Sequence, residues 1–315
     1  MPHLGATSID VFPLTLGGNT FGWTSDTATS HAVLDAYVDG GGNFIDTADS
    51  YSAWAPGNSG GESETVLGEW LTRRRNRSDV VLATKVSRHP QYRGLAASTI
   101  TGGVDASLKR LQTDYIDLYY AHFDDPDTPL AETAAAFDSL VRTGKIRAIG
   151  LSNYSAERIR QWFTIARDNG LHLPVALQPH YNLVKRVPYE TEIEPIAVAE
   201  NLAVTPYYAL ASGFLTGKYR SREDMAGASR EQMANAYFSD SGLAVVEALV
   251  AIAEAHEVAP ATVALAWLRG RSTITAPIAS ARTPEQLPAL MQSVGLELTE
   301  ADRARLDDVS SRVAA

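Results

Sequence analysis

Cysteine is absent from this chain of 315 residues. Its absence excludes disulfides, thiol nucleophiles and thiolate metal sites together, and it suits a reducing compartment. Long apolar runs are also missing, and none approaches the ~20 residues that a membrane-spanning helix needs. The opening MPHLGATSID has no cationic segment followed by an apolar one, so no signal peptide is expected and the cytoplasm is the expected location. Positive charge is scarce. Lys and Arg number 27 against 37 Asp and Glu, a formal net charge of -10. A protein that grips phosphate backbones shows the opposite balance, which argues against nucleic acid as a partner.

What is present is a rhythm. Short β-type runs alternate with amphipathic helical stretches for almost the whole length. The runs are Leu14–Gly18, Asn43–Asp46, Val80–Lys85, Ile116–Ala121, Ile146–Leu151, Val175–Gln178, Ala203–Tyr207 and Thr273–Pro277. Most are apolar throughout rather than alternating, as in parallel strands covered on both faces. Helical patterns fill the gaps at Asp26–Asp39, Glu62–Arg74, Ser98–Leu111, Leu130–Thr143, Ser155–Asn169, Glu190–Asn201, Leu243–His256 and Pro260–Arg269. Eight alternations predict an α/β protein, a (β/α)8 barrel in one domain over residues 1–315. An open doubly wound sheet is the structural alternative, but no G-x-G-x-x-G follows the first strand. Thr299–Val309 reads as an extra C-terminal helix. Gly217–Asp240, after the seventh strand, is too long and polar for a simple barrel connection and is expected to be a cofactor or substrate loop. The run Arg73-Arg74-Arg75-Asn76-Arg77 closes a helix, where positive charge complements the helix dipole.

In such a barrel the chemistry sits at the C-terminal ends of the strands. Asp46, Lys85, Gln178 and Tyr207 end strands, while His122 and the pair Ser152 and Asn153 directly follow them. Tyr51 lies five residues beyond Asp46. Taken singly, each has an ordinary structural explanation: a helix cap, a salt bridge, a core histidine, a packing tyrosine. Together, Asp46, Tyr51, Lys85 and His122 converge on one rim without metal-ligand spacing, which points to acid–base work. Tyrosine titrates near pH ~10, and a neighbouring ammonium is expected to lower that value. Asp46 can hold Lys85, His122 can orient a substrate oxygen, and Tyr51 can donate a proton to it.

The motifs then become familiar. Gly42–Tyr51 (GNFIDTADSY), Ala83–Val86, Asp114–His122, Gly144–Tyr154, Leu210–Tyr219 and Ala281–Leu287 resemble, in order, the motifs of the aldo-keto reductases. The resemblance implies a barrel that binds NADPH and reduces an aldehyde or ketone, with Tyr51 as general acid. It implies that Ser152, Asn153 and Gln178 hold the nicotinamide carboxamide and that Tyr207 stacks on its ring. It further implies that Gly18, Asn19 and Thr20 line the cofactor. Leu210, Ser212, Gly213 and Lys218 would follow its pyrophosphate, and Ser280, Arg282 and Gln286 its adenosine phosphate. An Arg at 282 suits a 2′-phosphate, favouring NADP over NAD. Ala279 and Ser280 stand where Pro-Gly or Pro-Lys is common in the family, and Leu290 where an adenine-contacting Asn is frequent.

Trp23, Trp54, Phe123 and Tyr181 are candidates for an aromatic pocket wall beside Tyr51 and His122. Two rival readings stay open. One is an NADPH-binding, redox-sensing regulatory protein with little turnover. The other is a barrel aldolase with Lys85 as its Schiff-base residue. The carbonyl substrate and the oligomeric state are not legible.

Overall fold

Runs that are apolar at every position are satisfied only between two covered faces. Here they form eight strands: β1 (Thr15–Gly17), β2 (Phe44–Asp46), β3 (Val81–Val86), β4 (Ile116–Ala121), β5 (Ile146–Ser152), β6 (Ala176–Gln178), β7 (Ala203–Val204) and β8 (Ile278–Ala279). The computed structural model describes residues 1–225, 227 and 231–313. All eight strands pair in parallel, in the order β8-β1-β2-β3-β4-β5-β6-β7. Val204 bridges Ile274, and Ile278 donates its N–H to the Pro206 carbonyl at 3.0 Å, so the sheet returns upon itself. The fold is a (β/α)8 barrel.

The first five helices alternate with the strands: α1 (Thr27–Asp39), α2 (Glu62–Arg74), α3 (Ala97–Leu111), α4 (Leu130–Arg142) and α5 (Ala156–Asp168). Then follow α6 (Glu194–Ala199), α7 (Glu231–Asn235), α8 (Asp240–Ala255), α9 (Pro260–Arg269), α10 (Leu287–Met291) and α11 (Glu300–Ser311). Local chemistry sets their ends. Asp26 accepts the Thr29 N–H at the start of α1, and α2 has Glu62 and Glu64 in its first turn and Arg73 and Arg74 in its last.

Three expected elements differ. Thr273–Pro277 is not a strand; Pro277 has no N–H for a ladder, and pairing passes to Ile278–Ala279. The seventh run is shorter than Ala203–Tyr207, because Pro206 removes another donor. The stretch Glu190–Asn201 divides into a π-helical turn at Tyr189–Ile193 and α6, where Pro195 interrupts the hydrogen-bond ladder. The basic run is more than a solvated helix end: Arg77 reaches back to the buried Asp117 at 2.8 Å. Within Gly217–Asp240 the chain forms a 3-10 turn (Glu223–Met225) and α7. Positions 226 and 228–230 of that expected loop lie outside the described residues.

Side-chain alternation places the site. On β3, Val81 and Ala83 face the barrel interior, and Lys85 continues that row; on β4, Leu118 and Tyr120 do the same. The interior is lined with small residues, including Ala148, Ala176, Ala203 and Ala276, and its base is covered by Leu4, Ile9 and Val11. This leaves room for Tyr120. A Cβ on Gly150 would fall 2.4 Å from the Tyr120 ring, so only glycine permits the ring there. The Tyr120 hydroxyl meets Thr205 Oγ1 at 2.9 Å and closes the bore beneath Lys85.

Candidate active site

Lys85 is the centre of the site. Its ammonium is fully buried and donates to Asp46 Oδ2 at 2.6 Å, to the Thr47 carbonyl at 2.7 Å and to the Tyr51 hydroxyl at 3.1 Å. The Tyr51 hydroxyl in turn lies 3.4 Å from Asp46 Oδ2. Burial pushes the Lys85 pKa down, and the negative charge of Asp46 opposes that. The other Asp46 oxygen accepts from Gln178 Nε2 at 2.9 Å, so Gln178 orients the carboxylate from the opposite side of the bore.

Tyr51 does not titrate as expected. Burial first, and the Asp46 charge second, hold its pKa well above the ordinary phenol value. The phenol is therefore kept protonated, a proton source rather than a standing phenolate. Its loop is pinned down. Ser52, buried with φ 71°, donates to the Phe21 carbonyl at 2.7 Å. Asn58 Nδ2 donates to the carbonyls of Gly22 at 2.8 Å and Ser52 at 3.0 Å.

The His122 ring stands 6.3 Å from that of Tyr51, in edge orientation. Burial, then the charges of Lys85 and Arg88, hold its pKa well below the ordinary value, so the imidazole is neutral. Its Nδ1 is buried and has no hydrogen-bond partner among the described residues. A neutral imidazole carries one N–H donor and one acceptor nitrogen and presents no charge.

Around these four residues the remaining strand-end groups form one network. Asn153, at φ 56°, donates to the His122 carbonyl at 2.9 Å and to Ser152 Oγ at 3.0 Å, and accepts from the Tyr207 hydroxyl at 2.7 Å. Ser152 Oγ donates to the Gln178 carbonyl at 2.8 Å. Asn153, Ser152, Gln178 and Tyr207 are thus joined to the four central residues. Neighbouring loops meet too: Ser280 Oγ donates to Asn19 Oδ1 at 2.7 Å, Thr20 Oγ1 to the Ala281 carbonyl at 3.2 Å, and the Arg282 N–H to Gln286 Oε1 at 2.8 Å. Gly18 takes its N–H to the Asp46 carbonyl at 2.8 Å, tying the first loop to the second.

After Leu210, the residues Ala211, Ser212 and Gly213 all have positive φ (47°, 56° and 95°), a conformation that needs glycine least reluctantly at the last of them. Ser212 Oγ is buried there with no partner among the described residues. A Cβ on Gly213 would sit 3.2 Å from Lys218 Nζ. A cradle with an orphaned hydroxyl and a nearby ammonium fits an anionic phosphate group, and the uncharged donors and acceptors of Ser152, Asn153 and Gln178 fit an uncharged carboxamide.

Several participants were not foreseen. The Thr47 carbonyl is one, since a backbone acceptor carries no sequence signal. His180 is another: its ring stacks on Tyr207 at 5.2 Å, and its Nε2 meets the Tyr237 hydroxyl at 2.8 Å. Behind β3 lies a buried polar cluster in which Glu64 accepts from Thr84 Oγ1 at 2.5 Å and from Arg110 Nε at 2.6 Å. Asp49 is buried beside it with neither oxygen hydrogen-bonded among the described residues. Burial, reinforced by Glu64, raises its pKa to about 8. Tyr181 is misplaced in the expected pocket wall. It is fully buried, packs on Tyr189 at 4.4 Å and Trp267 at 5.7 Å, and donates to Glu190 at 2.7 Å. Of the other expected wall residues, Trp54 stands edge-on to Trp23 at 5.4 Å and to Tyr51 at 6.1 Å, and Phe123 lies 4.8 Å from His122.

A family model described as the aldo/keto reductase family matches residues 13–311. Norsolorinic acid reductase B of Aspergillus parasiticus is 34% identical over 318 residues, spanning 94% of this chain and 80% of its own. Protein tas of Escherichia coli is 32% identical, over 98% of this chain and 96% of its own. A probable voltage-gated potassium channel subunit beta of Arabidopsis thaliana is 32% identical, over 93% and 90%.

Proposed function

The chain belongs to the aldo/keto reductase family, and from that premise we propose that it reduces an aldehyde or ketone to an alcohol with NADPH, Tyr51 acting as general acid. The observation that carries this reading is one ammonium, Lys85 Nζ, within hydrogen-bond distance of both Asp46 Oδ2 (2.6 Å) and the Tyr51 hydroxyl (3.1 Å) at the mouth of the bore.

Each residue has a task. Neutral His122 donates a hydrogen bond to the carbonyl oxygen and fixes its direction. Tyr51, kept protonated by burial, gives its proton to that oxygen. A nicotinamide cofactor held by Ser152, Asn153, Gln178 and Tyr207 would supply the hydride for the carbonyl carbon. The Lys85 ammonium, already touching the Tyr51 oxygen, stabilises the phenolate left behind, and solvent restores the proton. Asp46 keeps Lys85 charged in a buried place, and Gln178 keeps Asp46 turned toward it. The residues for the cofactor are those named above: Ser152, Asn153, Gln178 and Tyr207 at the ring, Ser212, Gly213 and Lys218 at the phosphates, and Arg282 at a 2′-phosphate. The segment 217–240, whose Tyr237 reaches His180, would border that cofactor.

The test is a panel of carbonyl compounds with wild type and Tyr51→Phe. Removing a general acid is expected to lower kcat by roughly 10²–10⁴-fold, with NADPH binding retained. Full activity in Tyr51→Phe rejects the mechanism. Stoichiometric oxidation of bound NADPH without turnover would instead indicate a sensing role.

A further inference from the structure

Beyond Lys85, strand β3 runs into a short hairpin, Arg88–His89 paired with Tyr92–Arg93. Its two faces differ. His89 and Tyr92 pack against each other, ring centroids 5.4 Å apart, with His89 buried. The opposite face carries Arg88 and Arg93 as direct cross-strand partners, both exposed. Like charges placed directly opposite in a two-stranded ribbon repel.

Several arginines of this protein close on carboxylates, as Arg110 does on Glu64, Arg158 on Asp124 and Arg167 on Glu200, whereas others, Arg282 among them, do not among the described residues. Arg88 and Arg93 have no carboxylate partner among the described residues, although the chain carries a net charge of -10. The nearby acids are engaged otherwise: Asp124 holds Arg158, and Asp125 accepts from the Leu95 N–H and Thr128 Oγ1, each at 2.7 Å.

Arg88 also stands beside the chemistry, with Arg93 directly across the ribbon from it. The Arg88 guanidinium lies over the Phe123 ring, 3.9 Å from its centroid, and that ring is 4.8 Å from His122. Its charge bears on His122. Phe123 donates its N–H to Ser87 Oγ at 3.2 Å, which fastens the root of the hairpin to the end of β4. Stacking fixes the plane of the guanidinium while its N–H groups remain open to a planar, two-oxygen anion. On another side of Tyr51, Trp54 is 52% exposed and stands edge-on to Trp23, an apolar aromatic wall open to a flat guest.

We propose that Arg88 and Arg93 form the anion-recognition element of the substrate mouth, so that this enzyme prefers aromatic aldehydes or ketones carrying a carboxylate on the ring. The proposal rests on the reading of Tyr51, Lys85 and His122 as the reducing centre.

The test compares 4-carboxybenzaldehyde with its uncharged methyl ester as substrates. In wild type the acid is expected to have a kcat/KM about tenfold or more above the ester, the advantage shrinking as salt is added. In the double variant Arg88→Gln/Arg93→Gln the acid-to-ester ratio is expected to fall to near one. Equal values for acid and ester in wild type at low salt overturn the proposal without any variant. A double variant that moves both substrates alike, or that weakens NADPH binding, overturns it too and assigns the arginines to the fold or the cofactor. If neither compound is reduced, the reducing centre is tested separately by the carbonyl panel with Tyr51→Phe. The ligand preference is then read from quenching of tryptophan emission by 4-(hydroxymethyl)benzoate against its methyl ester. Tighter acid binding, lost in the double variant, supports the proposal; equal binding rejects it.

Discussion

Lys85 Nζ sits 2.6 Å from Asp46 Oδ2 with both side chains shut away from water. Such a pair is held together by mutual dependence, since either charge alone would be buried without compensation. Lys85→Met and Asp46→Asn are each expected to destabilise the protein by about 3–5 kcal/mol. The double variant should lose clearly less than the sum, because it strands no charge. Urea unfolding of the four proteins measures this coupling, and strict additivity would show that the pair is not the unit described.

Asp49 has the opposite electrostatic character. Its pKa is raised from an ordinary 3.8 to about 8 by burial and by Glu64. Between those values the folded chain binds a proton that the unfolded chain has released. The stabilisation is therefore complete below about pH 3.8 and is lost as pH rises toward about 8. Asp49→Asn keeps the shape and removes the titration. Unfolding midpoints of wild type should fall behind those of Asp49→Asn progressively from about pH 5 to about pH 8. A gap that stays constant across that range would mean Asp49 is ionised throughout.

His180 couples the segment bearing Tyr237 to the ring expected to face the nicotinamide. Burial lowers its pKa to about 4, so it remains neutral in ordinary buffers and works by stacking and hydrogen bonding. An aromatic pair of this kind is worth about 0.5–1.5 kcal/mol. His180→Ala is accordingly expected to raise the Kd for NADPH roughly 2–10-fold, measured by fluorescence titration. Unaltered affinity would detach His180 from cofactor binding.

Arg282 is exposed; its main-chain N–H donates to Gln286 Oε1 at 2.8 Å, and its guanidinium makes no ion pair with a carboxylate among the described residues. In Arg282→Leu, NADPH is expected to bind about tenfold or more weakly, with NADH little affected. Parallel loss of both cofactors would place the 2′-phosphate elsewhere.

How far the sequence was legible depends on what kind of contact fixed each feature. Glu62–Arg74 and Pro260–Arg269 were readable to the residue because their ends are written locally, in charges and a first-turn proline. Asp46, Lys85 and His122 were readable because strand ends in a barrel share a rim. Helix α8 begins at Asp240 rather than at the expected Leu243, because Ser239 accepts the Gly242 N–H at 3.0 Å and caps it earlier. The Thr273–Pro277 expectation failed because apolar composition outweighed a missing donor at Pro277. The contact of His180 with Tyr237, and that of Glu64 with Thr84 and Arg110, join residues far apart in the chain. No local pattern encodes such meetings. The raised pKa of Tyr51 was missed for a related reason: the pull of Lys85 could be inferred from residue type, but the depth of burial could not.

Tyr120 bears on how the protein can operate. Its ring fills the space that Gly150 leaves open, and its hydroxyl reaches Thr205 across the bore. The barrel is a cul-de-sac rather than a corridor. Arrivals and departures share one doorway, so a product still in place is itself the obstacle to the next turnover.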